Sequence, residues 1–405
     1  MDPLQTKKTS RAYLWSTLFN APFWALYGLL SFILYKDLHA TAWQLSLFIA
    51  LKPVVSLFSV YWSAFVNQRE DRLRGNVIYA CLIGRAPFFF FPWIDSPWFI
   101  IIASALYMMM TRGVIPAWME LLKRHLPENK REHLLSSAQT ISYLLGVLLP
   151  FGFGYWMDIE PGFWRYLFPI AAFISCLGVL FQMKLPYVAK NSKNIAPLTL
   201  IEGLKKPWGN AYALLKRHPQ FWRFQIGFAL GGGGLMLMQP ALPLFFVQDI
   251  QLSYTELAFA LSACKGIGFA LTSRSWAKII GKFSLFTIST WVTLLATLFP
   301  LVLLLCTKHI TYIYLAYGIY GAMQAGSELS WHLSGPLFAK ENESSNFSSV
   351  NVLMVGLRGC IAPFLGSYLL TQLSATSVLL CAGTLTFIGS IYMAKQAKNE
   401  KISVI

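Results

Sequence analysis

Charge is scarce in this 405-residue chain, with Asp, Glu, Lys and Arg making up only 12% of it, against about a quarter in a soluble domain. Acids are scarcer still, 17 against 33 Lys and Arg. The six cysteines, Cys81, Cys176, Cys264, Cys306, Cys360 and Cys381, all fall in apolar runs with no C-x-x-C, so they frame neither disulfides nor a zinc site. There is no P-loop, no H-x4-D and no metal-ligand spacing, which removes the usual signatures of nucleotide, acyl-transfer and metal chemistry. No cofactor and no metal are expected, and no enzymatic activity. The first apolar run is long, follows Lys7, Lys8 and Arg11, and has no small-residue cleavage site, so it reads as a retained helix rather than a leader.

What is abundant is grease. Hydrophobic residues are 56% of the chain and aromatics 16%, the composition of a protein embedded in lipid. Apolar runs near 12-35, 43-66, 76-94, 98-122, 134-157, 164-185, 221-247, 255-273, 283-306, 310-332, 348-371 and 374-395 are each of spanning length. They are continuous rather than alternating, which excludes a β-barrel. The expectation is an all-α membrane protein of twelve transmembrane helices in two pseudo-symmetric six-helix bundles.

The net charge of +16 follows the loops. One set carries Lys7, Lys8, Arg11, Arg69, Arg72, Arg74, Lys123, Arg124, Lys130 and Arg131, continues through Lys184 to Arg217 and Arg274 to Lys282, and ends with Lys340, Lys395, Lys398 and Lys401. The other set holds only Lys36, Arg165 and Lys308. Positively charged loops stay in the cytoplasm, so both termini are expected there, in a bacterial inner membrane, and nucleic acid is not needed as a partner. The one long polar stretch, 186-220, divides the chain into an N-terminal bundle (1-185) and a C-terminal bundle (221-405). Within it Thr199-Leu-Ile-Glu202 reads as a capping box opening a short helix.

The halves resemble each other. An offset of 213 across residues 113-151 pairs Gly113 with Gly326, Trp118 with Trp331, Pro150 with Pro363 and Phe151 with Phe364, nine identities in 39 positions where chance gives roughly three. The same offset joins Lys52 to Lys265, each in the middle of an apolar run. Parallel six-helix repeats with a site at the bilayer midplane describe a secondary transporter.

The layout, the basic loop from Asn67 to Gly75, Arg112-Gly113, Gly146-x3-Pro150-x-Gly152-x-Gly154 and Arg358-Gly-Cys-Ile-Ala-Pro-x2-Gly366 together resemble the major facilitator superfamily over the whole length. Asn67 stands where that family's loop carries an acid. The resemblance implies a transporter fold, and it places Arg112 at the position of the family's helix 4 arginine, which it links to proton coupling.

The intramembrane charges carry the substrate argument. Lys52, Arg85, Arg112, Lys265 and Arg358 are basic, and only Glu120 and Glu328 are acidic. A cation at a helix centre costs about 2.5–3.5 kcal/mol on insertion scales, so it faces a partner or a watery cavity. Two acids cannot balance five bases, which points to an anionic small-molecule cargo. Asn20, Trp24, Gln139, Tyr143 and Gln239 offer polar and stacking contacts, while packing or carbonyl binding is the plainer role for any of these residues. Gln324, Glu328 and His332 share one helix face at i, i+4 and i+8, where a carboxylate and an imidazole can pass a proton. A drug or lipophilic-cation exporter would want a membrane acid in the N-terminal half, where Glu120 alone is available. A sensor or a membrane transferase stands as the reading of another class. The expected partners are an anionic substrate, a coupling ion and the bilayer, acting on a monomer.

Overall fold

The computed structural model describes residues 3–68, 72–186, 200–280, 282–338 and 344–402. The side chains of 56–68, Gln139, Tyr143 and His332 lie outside that description, as do the capping box at Thr199 and the centre of the Asn67–Gly75 loop. Among the described residues the structure is helical, with no strand.

Helical backbone covers each of the twelve apolar stretches. In the first half α1 (Pro3–Tyr27) and α2 (Leu30–Lys36) are followed by α3 (Ala42–Gln68), α4 (Leu73–Arg85), α5 (Pro97–His125), α6 (Glu128–Ile159), α7 (Trp164–Leu177) and α8 (Val179–Gln182). A polar helix, α9 (Leu200–Arg217), occupies the linker and is longer than the capping box alone suggested. The second half comprises α10 (Pro219–Leu237), α11 (Ala241–Leu244), α12 (Tyr254–Phe259), α13 (Lys265–Ile280), α14 (Leu285–Leu304), α15 (Tyr312–Phe338), α16 (Ser344–Leu370) and α17 (Ala375–Ile402). Eight of the described helices or helix runs are long and apolar enough to cross a membrane. The stretches beginning at Leu73 and Tyr254 are not among these eight; the first passes into a 3-10 turn over Ala86–Phe90 and the second into a π turn over Ala260–Cys264, just before Lys265.

Many helices are hydrophobic on every side, as embedded helices are. Leu148 is 68% exposed and Leu271 74%, leaving apolar faces for lipid. The glycine run Gly231–Gly234 does not break α10, which continues to Leu237. Its glycines make room instead: a Cβ at Gly231 would meet the Thr293 methyl at 2.5 Å, and one at Gly234 the Thr386 methyl at 2.6 Å. These small surfaces let α14 and α17 approach closely, as small residues do in lipid, where apolar burial no longer drives association.

Packing resolves two compact units. The first comprises Met1–Ala40, Val55–Leu198 and Ser253–Ala258, and the second Thr41–Val54, Thr199–Leu252 and Phe259–Ile405. The first is filled by aromatic rings, with Phe23 and Phe88 4.7 Å apart, Phe88 and Phe91 4.7 Å apart, and Phe91 and Phe168 5.0 Å apart. In that unit Asp158 of α6 accepts the amides of Tyr254 (2.8 Å) and Thr255 (2.7 Å). These are the free donors at the start of α12, and a carboxylate satisfies them well. In the second unit the Ser46 hydroxyl donates to the Pro363 carbonyl at 2.7 Å, and Pro53 lies against Gly359.

Candidate functional site

Helical spacing builds a polar lining in the first unit from residues that are isolated in sequence. Ser16 and Asn20 are one turn apart on α1, and Cys81 and Arg85 one turn apart on α4. Each nitrogen of the Arg85 guanidinium is engaged, although the residue is only 7% exposed. Its Nε donates to Ser175 Oγ (2.7 Å), Nη1 to the Cys81 carbonyl (3.1 Å) and Nη2 to Asn20 Oδ1 (2.7 Å). It also lies 5.4 Å from the centre of the Tyr107 ring. All three acceptors are neutral groups, so hydrogen bonds and not an ion pair hold the cation among the described residues.

Beside this network opens a cleft of about 390 Å³ between α1, α4, α5, α6 and α7. Arg85, Arg112, Asn20, Trp24, Thr111 and Ser142 are among the residues lining it, and no carboxylate lines it among the described residues. Arg112 is half-buried, and no side-chain hydrogen bond or ion pair holds it among the described residues. Trp24 is 43% exposed and stacks on Tyr27 with centroids 5.8 Å apart and planes within 4°. Glu120, the acid nearest in sequence to Arg112, is taken up by Arg124 at 2.6 Å. The cleft can therefore offer two guanidinium groups and several hydroxyl and amide donors to a negatively charged group, with an indole face beside them.

The remaining candidates lie in the second unit. Lys52 is exposed on α3, in the stretch grouped with that unit, so both lysines of the repeat belong to it. The Lys265 ammonium sits 5.3 Å above the Tyr320 ring. Arg358 donates from Nη1 to the Phe228 carbonyl at 2.7 Å and lies 5.3 Å from that ring, packed on Gly232, while its buried Nε has no partner among the described residues. Glu328 is exposed and accepts from Gln324 Nε2 at 2.8 Å. Gln239 is half-buried in the turn after α10. The side chains of Gln139 and His332 fall outside the described residues.

The structure thus brings Asn20, Trp24, Arg85 and Arg112 to one cleft. It adds Ser175 and the Cys81 carbonyl as anchors, and Thr111 and Ser142 in the lining. The Cys81–Arg85 spacing could have shown the carbonyl contact. A lone serine inside an apolar helix such as α7 gives no such signal.

A profile of the Major Facilitator Superfamily matches residues 13–363. The chain belongs to the major facilitator superfamily. No curated protein sequence matches it, but solved structures share its fold over nearly the whole length. The nucleoside transporter NupG superimposes with a TM-score of 0.73 at 12% identity, covering 96% of this chain and 99% of its own. The peptide transporter POT, in complex with sulfate, gives 0.74 at 12% identity, with 97% and 94% covered. A bacterial homologue of the human lysosomal transporter Spinster, inward-facing and unoccupied, gives 0.66 at 14% identity, with 98% and 96% covered. At such identities the likeness carries the fold alone. As a superfamily member the chain is an integral, multi-pass membrane transporter and not an enzyme.

Proposed function

We propose that this superfamily member is a secondary active transporter that moves a small organic anion by alternating access, driven by protons. The observation that carries the substrate class is the lining of the first unit's cleft, with Arg85 and Arg112 and no acid among the described residues. A carboxylate or phosphate answers that imbalance, because hydrogen bonds to charged groups contribute about 1.5–3 kcal/mol each. Arg85 is pre-set by its three acceptors, and Arg112 supplies the charge that meets the cargo. Trp24 flanks the organic part.

Lys52, Lys265, Arg358, Gln139 and Gln239 are proposed as further substrate contacts, and Glu328, His332 and Arg112 as the coupling groups. The exporter of lipophilic cations is disfavoured by the engagement of Glu120 with Arg124, which leaves the cleft no acid to receive a cation among the described residues. A bacterial inner membrane, cytoplasmic termini and a monomer complete the reading.

The test is uptake of labelled anionic metabolites into proteoliposomes under an imposed pH gradient. Accumulation of at least one anion, abolished by a protonophore, is expected. Export of a cationic dye with no anion flux would reverse the substrate class, and binding without flux would make the protein a sensor. For coupling, Glu328→Gln should bind substrate yet lose accumulation against a gradient, and undiminished pH-driven uptake would remove Glu328 from the role.

A further inference from the structure

A second concavity in the first unit, of about 280 Å³, shares no lining residue with the first cleft among the described residues. It is formed by Lys7, Lys8 and Arg11 on the opening turns of α1, by Lys184 just past α8, and by Leu4, Ala12 and Phe181. Four cations from two distant parts of the chain converge there, all exposed, and no carboxylate lines it among the described residues. Like charges so gathered repel, and an anion relieves them.

Solvation alone does not account for what adjoins these cations. Trp15 follows Arg11 by one turn and Phe19 follows Trp15 by one more. Trp15 lies 5.5 Å from Phe19 and 5.2 Å from Phe181, with the rings stacked. The Lys184 ammonium rests 5.5 Å from the Phe181 ring. Trp15 is 39% exposed and Leu4 58%. Along one side of α1 a basic mouth thus passes directly into an open aromatic strip, charged end first and apolar end after. That is the order of groups in a phospholipid, and it sits at a helix end where basic and aromatic residues meet the membrane interface.

The geometry points to a binding site for one anionic phospholipid, its phosphate among Lys8, Arg11 and Lys184 and an acyl chain along Trp15, Phe19 and Phe181. A clustered set of cations beside a membrane helix recognises such headgroups by charge, and each is worth about fivefold in affinity. A soluble phosphate shares the headgroup chemistry but leaves the aromatic strip bare.

Native mass spectrometry of the full chain titrated with phosphatidylglycerol and with phosphatidylcholine tests this. The expected result is one tightly retained phosphatidylglycerol preferred about tenfold or more over phosphatidylcholine. Lys8→Gln, Arg11→Gln and Lys184→Gln each lose about fivefold, and the triple variant loses the preference. Removing two charges elsewhere, Lys395→Gln with Lys398→Gln, should leave it intact, and inorganic phosphate should not compete. No preference in the parent chain, a preference kept by the triple variant, or an equal loss in the Lys395/Lys398 control would overturn the site. Full competition by inorganic phosphate would show a soluble-phosphate site and overturn the lipid assignment.

Discussion

The guanidinium of Arg85 donates to the side-chain carbonyl of Asn20 across 2.7 Å, joining α4 to α1. Ser175 donates to the same oxygen at 3.1 Å, so one amide ties three helices. Removing either member of a buried network strands the others. Asn20→Ala should cost about 1 kcal/mol and Arg85→Ala about 3 kcal/mol. Their double mutant should cost less than the two together, by about 0.5 kcal/mol or more. Thermal unfolding in one detergent gives the cycle, and strict additivity would show that the pair is not coupled.

Arg112 differs from Arg85 in having no side-chain hydrogen bond or ion pair among the described residues, which predicts a loss of function without a loss of fold. Arg112→Gln should weaken anion binding by about 10- to 100-fold while the melting temperature holds within a degree or two of the parent. Arg112→Lys should recover only part of the affinity, since an ammonium keeps the charge but not the planar fork. Ligand-induced thermal shifts across a series of carboxylates and phosphates would measure both. Unchanged shifts in Arg112→Gln would take this residue out of the binding site.

Composition alone made the membrane class legible, because a chain this poor in charge has few other ways to bury its apolar surface. The helices were legible for the same reason, and their interruptions were not. Hydropathy averages over both the π turn before Lys265 and the 3-10 turn after Arg85, which contains Pro87. Arg85 and Arg112 stood out as cations in grease, whereas their difference in role did not, since it depends on Ser175, a lone serine with no signature of its own. The glycine motif on α6 shows the same limit. Gly154 lies tightly against α12, where a Cβ would come 2.7 Å from the Tyr254 carbonyl, yet Gly146 and Gly152 have open space.

A comparable contrast on α13 and α15 yields a sharper prediction. A Cβ on Gly268 would collide with the Gly318 carbonyl, and one on Gly321 with the Lys265 carbonyl. Backbone cannot swing aside as a side chain can, so the two helices would have to separate. Gly321→Ala and Gly268→Ala should each destabilise by about 3 kcal/mol, at the upper end for overpacking. Gly318→Ala faces open space and should be neutral or stabilising by up to about 1 kcal/mol through helix propensity. Denaturation of the three variants side by side decides it, and equal behaviour would mean that the α13–α15 contact tolerates a wider spacing.

The last prediction concerns pH. Asp37 follows α2, and burial holds its carboxyl above the usual range, a rise only partly offset by the Tyr254 hydroxyl, the Trp164 indole and the cations of Lys36 and Arg165. One carboxylate oxygen is buried without a hydrogen-bond partner among the described residues, and Arg165 is drawn instead to Asp95, at 2.7 Å. A carboxyl whose folded-state affinity for protons is raised makes the folded protein bind more protons than the unfolded chain. Stability is then greatest below the ordinary carboxylate range and declines as pH climbs through the raised value. Asp37→Asn keeps the shape and removes the charge, so it should melt higher than the parent at pH about 8 and lose that advantage as the pH falls toward about 4. Melting curves of both proteins across that range give the difference directly. A variant that melts lower than the parent at high pH would show that the neighbours favour the ionised carboxylate, and the burial argument would fail.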